Sequence, residues 1–184
     1  MQSRTKVALT NFVNRYVEMY EQKGIPLNVE CDDSWLSPCC TTSNTSGMCE
    51  WKPVLQDVDL DFSQVEQGME MAIHQDFQEY FCSFWADHLN ARASRGDLQL
   101  LMVWNQDDFI RLQENVIAHL LMKRRLGQRD TLFFAQTEDE NYIISVLNGT
   151  GEVVLEPVGQ EPREVLAKDI AEFIDTLTPV LVES

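Results

Sequence analysis

The chain has 184 residues, 44% of them hydrophobic and 24% charged, with 14 Lys and Arg against 30 Asp and Glu. That length and apolar fraction suit one globular domain over residues 1–184 with a real core, and they exclude wholesale disorder. A formal charge of -16 argues against direct binding to DNA, RNA or anionic lipid, because neutralising phosphates takes clustered Lys and Arg; it favours a basic partner, or simply high solubility. The opening stretch, MQSRTKVALTNFVNRYVEMY, interrupts its apolar positions with polar and charged ones, so no signal-peptide core is expected there. No run approaches the roughly 18–20 apolar residues of a membrane span, and a cytoplasmic location is the expectation.

In chain order, Leu9, Phe12, Val13, Tyr16, Val17 and Tyr20 predict a first helix, stopped by Gly24 and Pro26. Leu27 to Trp51 reads as a long loop, either functional or packed down by Trp35 and Trp51. Ser63-Gln64-Val65-Glu66 has capping-box form and predicts a second helix with Val65, Met69 and Ile73 inward. Asp76 to Phe84 fits helix and strand alike, and Phe84 to Ala91 pairs as a strand with Leu98 to Trp104. Asn105 caps the strongest helix, which runs to about Arg125 before Gly127. Phe109, Leu112, Val116 and Leu120 form its stripe, and Ile110, Ile117 and Leu121 widen it to about half the circumference. Gln113 falls inside that arc and needs partners if buried. Thr131 to Ala135, Tyr142 to Leu147 and Glu152 to Glu156 read as strands, the last two joined by the turn Asn148-Gly149-Thr150-Gly151. A final helix starts near Asp169, with Glu172 in a capping-box arrangement, Ala171, Phe173, Ile174 and Leu177 inward, and Pro179 as the stop. The sum is an α+β domain with a largely antiparallel sheet flanked by helices.

Chemistry-bearing motifs are few. Cys31, Cys39, Cys40, Cys49 and Cys82 are an odd set without a C-x-x-C pair, so reduced thiols are expected rather than a disulfide framework or a metal site. Asp57, Asp59 and Asp61 alternate, but Phe62 and Gly68 stand where a calcium loop needs Gly and Glu. In a strand the three carboxylates would share a face; a solvated charge run before a helix is the favoured reading. His74, His88 and His119 fit no metal or nucleophile motif, and His119 reads as a satisfied structural histidine. No nucleophile elbow, Walker loop or dinucleotide fingerprint is present, and the turn accounts for Gly149 and Gly151. Neither a catalytic residue nor a cofactor is therefore expected. Trp104-Asn105-Gln106-Asp107-Asp108 is richer. Acids in a first turn complement the helix dipole, and Asp107 can pair with Arg111. A Trp beside acids is also how a groove grips Arg or Lys. Residues 50–82 hold eight acids against Lys52, and residues 138–184 hold eleven against Arg163 and Lys168. Lys123, Arg124, Arg125 and Arg129 form one small basic spot at a helix end.

Several segments follow one another in an order that points to a family. They are Ser37-Pro38-Cys39, Trp51-Lys52-Pro53, Trp104 to Arg125 (WNQDDFIRLQENVIAHLLMKRR), Thr131-Leu132-Phe133, Ile144-Ser145-Val146, NGTGEV from Asn148 to Val153, and Ala171-Glu172-Phe173 with Leu177. Together they resemble the Syd family, the SecY-interacting proteins of gamma-proteobacteria, over nearly the whole chain; Asp32 to Glu50 is the variable part. The resemblance implies a SUKH-like fold and binding to the basic cytoplasmic loops of the translocon channel SecY through a concave, electronegative groove. It implies a place at the cytoplasmic side of the inner membrane, held by SecY without a lipid anchor, monitoring or regulating channel assembly or activity. The negative charge has the sign such a partner requires, since Lys and Arg concentrate in the cytoplasmic loops of membrane proteins. The partner-binding residues expected are Trp104, Asp107, Asp108 and Glu114, with Asp57, Asp59 and Asp61 as a second group. The alternative is a SUKH-type immunity protein that inhibits a basic toxin or a nuclease. An enzyme would need His, Cys and carboxylates converging in a pocket with perturbed pKa values.

Overall fold

The computed structural model describes residues 1–42 and 47–182. Helix α1 (Arg4–Lys23) follows the predicted spacing. Ser3 Oγ accepts from the Lys6 amide, and Gly24 closes the helix at φ 66°, in the left-handed region. Then come β1 (Asn28–Glu30), β2 (Met48–Glu50), β3 (Val54–Leu55), α2 (Ser63–Met69), α3 (Gln75–Phe81), β4 (Phe84–Trp85), β5 (Leu89–Ala93) and β6 (Gly96–Leu100). The chain continues through α4 (Gln106–Arg125), β7 (Thr131–Thr137), β8 (Tyr142–Leu147), β9 (Val153–Pro157), β10 (Glu164–Ala167), α5 (Ile170–Asp175) and β11 (Thr178–Pro179).

Seven strands form one antiparallel sheet in the order β10-β9-β8-β7-β6-β5-β11, while β1-β2 and β3-β4 form small ribbons of their own. The large sheet curls: Arg95, in the turn between β5 and β6, makes an ion pair with Glu164 on β10 at the opposite end of the strand order. Strand alternation sends side chains to two faces. On one face, Phe133 of β7 meets His119 of α4, edge to face at 5.4 Å. On the other, Phe134 packs edge-on against Tyr80 of α3 and Phe173 of α5. Helices thus cover both faces, as an α+β chain with amphipathic helices requires.

Several expectations need correcting. In α4, Phe109, Leu112, Val116 and Leu120 are buried as the spacing demands, each contributing on the order of 1.5–3 kcal/mol. Ile110 and Leu121 are each 52% exposed, because α4 lies on one sheet face only and buries one stripe. Gln113 is only half-buried. The strand expected at Phe84 to Ala91 divides: Phe84–Trp85 pairs with Val54–Leu55, and the hairpin partner of Gly96–Leu100 is Leu89–Ala93. Residues 75–81 are helical, capped by His74 Nδ1, which accepts from the Asp76 amide. Helix α2 lacks the Ser63 cap; Asp61 Oδ1 instead takes the Ser63 amide and hydroxyl. Cys31 and Cys49 form a disulfide, and Cys39, Cys40 and Cys82 remain thiols. The strand register Val29↔Cys49 brings that pair together, which sequence spacing does not reveal. The long loop ends in the strands β1 and β2, and its residues 43–46 lie outside the described residues.

The Asn148–Gly151 turn does more than join two strands. Asn148 Oδ1 accepts from the His74 amide and its Nδ2 donates to Ala72 O, which fixes the α2–α3 link. Gly151 has φ +83°, and a Cβ there would lie 2.6 Å from His74 Nε2. His74 can move aside only by giving up its cap on α3. Gly151→Ala is expected to lower stability by about 1–3 kcal/mol, measured by urea unfolding. Gly149→Ala, with nothing within 4 Å of the new Cβ, should stay within about 0.5 kcal/mol of wild type.

A polar network sits beneath α4. Lys123 and Glu156 are both fully buried and form an ion pair. Lys123 Nζ also donates to Gln160 O at 2.8 Å, and Thr131 Oγ1 donates to the Glu156 carboxylate. His119 Nε2 lies 2.8 Å from Thr131 Oγ1. The Thr hydroxyl has one proton and spends it on Glu156, so His119 donates through Nε2–H. Burial, the larger cause, pushes the His119 pKa below 6.5; Lys123 acts in the same direction and Glu156 against it. The folded chain then resists a proton that the unfolded chain accepts. Stability contributed by His119 is present above about pH 6.5 and is lost as pH falls. Urea unfolding between about pH 7 and pH 5 should show this slope, flattened in His119→Gln.

Candidate partner-binding surface

The N-terminal end of α4 is tied by reciprocal hydrogen bonds. Asn105 Oδ1 accepts from the Asp108 amide at 2.9 Å, and Asp108 Oδ2 accepts from the Trp104 amide at 2.8 Å. Trp104 is only 9% exposed. Its Nε1–H donates to Trp35 O at 2.8 Å, its ring meets Trp51 edge-on at 6.4 Å, and Ser37 Oγ donates to its carbonyl at about the same place. Asn105 Nδ2 donates to Leu36 O at 3.0 Å. Residues 35–37 are thereby fastened across the start of α4.

Trp35, not Trp104, is the ring that carries a guanidinium: Arg111 lies over it, 4.3 Å from the centroid. Arg111 makes this stacking contact, and no ion pair joins it to Asp107 among the described residues. Beside them opens a hollow of about 750 Å³ lined by Glu30, Asp32, Ser34, Trp35, Met48 and Arg111, among others. The Ser34 amide and hydroxyl hold the Asp32 carboxyl below its usual range, so it stays charged.

Asp107 and Glu114 are exposed on α4, while Asp108 is half-buried and spent on its cap. Asp107, Arg111 and Glu114 share one helix face by their i, i+4, i+7 spacing. Asp57, Asp59 and Asp61 are exposed in the irregular lead-in to α2, not in a strand. The Ser63 hydroxyl and amide keep the Asp61 carboxyl below its usual range. Phe62, next to Asp61, packs on Phe109, next to Asp108, at 5.1 Å between ring centroids. That contact brings the two acidic segments to one end of the molecule.

A second concavity, about 690 Å³, lies inside the curl of the sheet, over Leu98, Tyr142, Ile144, Leu155 and Phe173. Its rim is balanced: Arg95 pairs with Glu164, and Asp97 with Arg92.

A model of the Syd protein (SUKH-2) family matches residues 6–179. Relatives called Protein Syd include that of Alteromonas mediterranea, 46% identical over 94% of both chains, and that of Colwellia psychrerythraea, 40% identical over 93% of this chain and 90% of its own. Protein Syd of Pseudoalteromonas atlantica is 37% identical over the whole of both. The chain belongs to the Syd family.

In this Syd-family chain, of the basic spot expected at Lys123, Arg124, Arg125 and Arg129 only Lys123 is buried, and the three arginines are exposed. Lys123 is buried against Glu156, Arg124 faces Asp130 at 3.6 Å and donates to Met69 O, and Arg129 pairs with Glu161 at 3.0 Å. Among the described residues, ion pairs occupy seven of the fourteen Lys and Arg. Those pairs engage seven of the thirty Asp and Glu. No helix is long and apolar enough to cross a membrane among the described residues. Glu30 and Asp32 were not singled out in the sequence, and Trp35 and Arg111 only as a loop anchor and as a partner for Asp107; the signal for Asp32 is Asp32-x-Ser34, an Asx-turn pattern beside a Trp.

Proposed function

We propose that this Syd-family chain is an acidic adaptor that binds the basic cytoplasmic loops of SecY and monitors or regulates the channel from the cytoplasmic side of the inner membrane. The acids offered to the partner are Asp107 and Glu114 on α4 and Asp57, Asp59 and Asp61 before α2, with Glu30 and Asp32 beside them. Trp104 and Asp108 act as positioning residues that hold this end of the molecule in shape. The observation that carries most weight is the exposure of these acids along the first half of α4 and before α2, next to a hollow where Glu30 and Asp32 outnumber the one cation in its lining, Arg111, which is stacked on Trp35. Complementary charge speeds association with a cationic segment and rejects wrong partners. The role is binding, not catalysis: His119, Thr131, Glu156 and Lys123 are each spent on one another inside the core.

Sedimentation with inner-membrane vesicles tests the proposal. Retention on SecY-rich vesicles and release at about 1 M salt, where the screening length is about 3 Å, is the expected result. Equal retention on vesicles depleted of SecY would overturn it. Tight binding to a basic toxin or nuclease in place of SecY would support the immunity-protein alternative.

A further inference from the structure

Cys31, Cys40 and Cys49 converge from three neighbouring extended segments. Cys31 follows β1 and its amide donates to Gly47 O at 2.9 Å. Cys49 lies in β2 opposite Val29, and Cys40 forms an isolated antiparallel bridge with Trp51, just past β2. The three Sγ atoms all lie within 4.8 Å of one another. A tetrahedral zinc ion with Zn–S bonds of about 2.3 Å sets its sulfurs roughly 3.8 Å apart. Side-chain rotation alone can therefore bring the three sulfurs around one ion once the disulfide is opened. From Gly24 to Trp51 the chain contains Glu30, Asp32, Asp33 and Glu50 but no Lys or Arg, and the one cation in the lining of the adjoining hollow, Arg111, is stacked on Trp35.

Neighbouring Cys39 is set apart from this group. It is buried, its Sγ lies 2.9 Å from Ser37 Oγ, and burial pushes its thiol pKa up to about 12. It is a packing residue.

We propose that the reduced chain binds one zinc ion through the thiolates of Cys31, Cys40 and Cys49, the Cys31–Cys49 disulfide being the oxidised, metal-free form of the same cluster. Opening the disulfide takes two electrons and two protons from a dithiol reductant, which is itself oxidised to a disulfide. The three thiols then release three protons as three Zn–S bonds form, and water takes the fourth position. Reducing compartments maintain the thiol form. The bound ion would replace the disulfide as the staple between β1, β2 and the Cys40 segment, beside the hollow that Cys31 helps to line.

The test is titration of the full-length protein, reduced with a phosphine and stripped of metal, with cobalt(II) and then zinc. One equivalent of cobalt with thiolate-to-metal charge-transfer absorption, displaced by zinc, is expected. Cys40→Ser should weaken cobalt binding more than about tenfold, while Cys82→Ser should bind like wild type. Cys40 is outside the disulfide, so its variant keeps that staple when oxidised; circular dichroism checks its fold. If Cys40→Ser fails to fold, Cys31→Ser gives the same readout. Absence of the charge-transfer band in the reduced wild type, or wild-type affinity in Cys40→Ser or Cys31→Ser, overturns the proposal.

Discussion

Lys123→Met is expected to destabilise the chain by about 3–5 kcal/mol, because it strands a buried carboxylate. Glu156 is fully buried, and its charge is met by Lys123 and the Thr131 hydroxyl. Removing the ammonium leaves one hydroxyl to compensate a full charge in a medium of low polarity. The Gln160 carbonyl loses its donor as well. Glu156→Gln strands the ammonium in turn and should also be costly. The double variant Lys123→Met/Glu156→Leu leaves no buried charge and should be less damaging than Lys123→Met alone. Equilibrium urea unfolding of the three variants measures this directly. A change within about 0.5 kcal/mol for Lys123→Met would mean that the pair is hydrated rather than buried.

Trp104→Ala is expected to cost about 3–5 kcal/mol, the range for deleting a buried aromatic. The indole packs on Trp51 and bonds Trp35 O, so its loss opens a cavity and unfastens residues 35–37 from α4. Trp104→Phe keeps most of the ring and loses one hydrogen bond, so about 0.5–1.5 kcal/mol is expected. At temperatures where both variants stay folded, Trp104→Phe should bind SecY like wild type, because the ring positions the surface without touching the partner. A Trp104→Phe variant of full stability but lost binding would instead make the indole a direct contact.

The contrast between α4 and the cysteine loop explains what the residues disclosed in advance. Helix α4 was legible because cap, period and stop all lie within its own segment, and Asn105, Phe109 and Gly127 carry them. The width of its buried stripe was not, since a wheel counts apolar residues and cannot tell which side a sheet covers; hence Ile110 and Leu121 face solvent. Lys123 extends the buried stripe one turn further. A lysine reads as solvent-facing until its partner, 33 residues away, is known. The Cys31–Cys49 pairing depends on the β1–β2 register, a long-range property. The acids at 57, 59, 61, 107 and 114 were visible as charges, while the Phe62–Phe109 contact that joins their segments emerges only on folding. Trp35 stacks on Arg111 of its own chain because its loop folds back over α4, while Trp104, expected to grip a partner's cation, is buried.

The most direct measurement is the affinity of purified SecY in nanodiscs for the wild-type chain and for Asp107→Lys/Glu114→Lys. Both sites are exposed, so folding is expected to survive the change. Reversing them turns attraction to basic loops into repulsion, and a loss of at least about tenfold is predicted, equivalent to about 1.4 kcal/mol. Unchanged affinity in a folded double variant would contradict the placement of SecY at this end of α4.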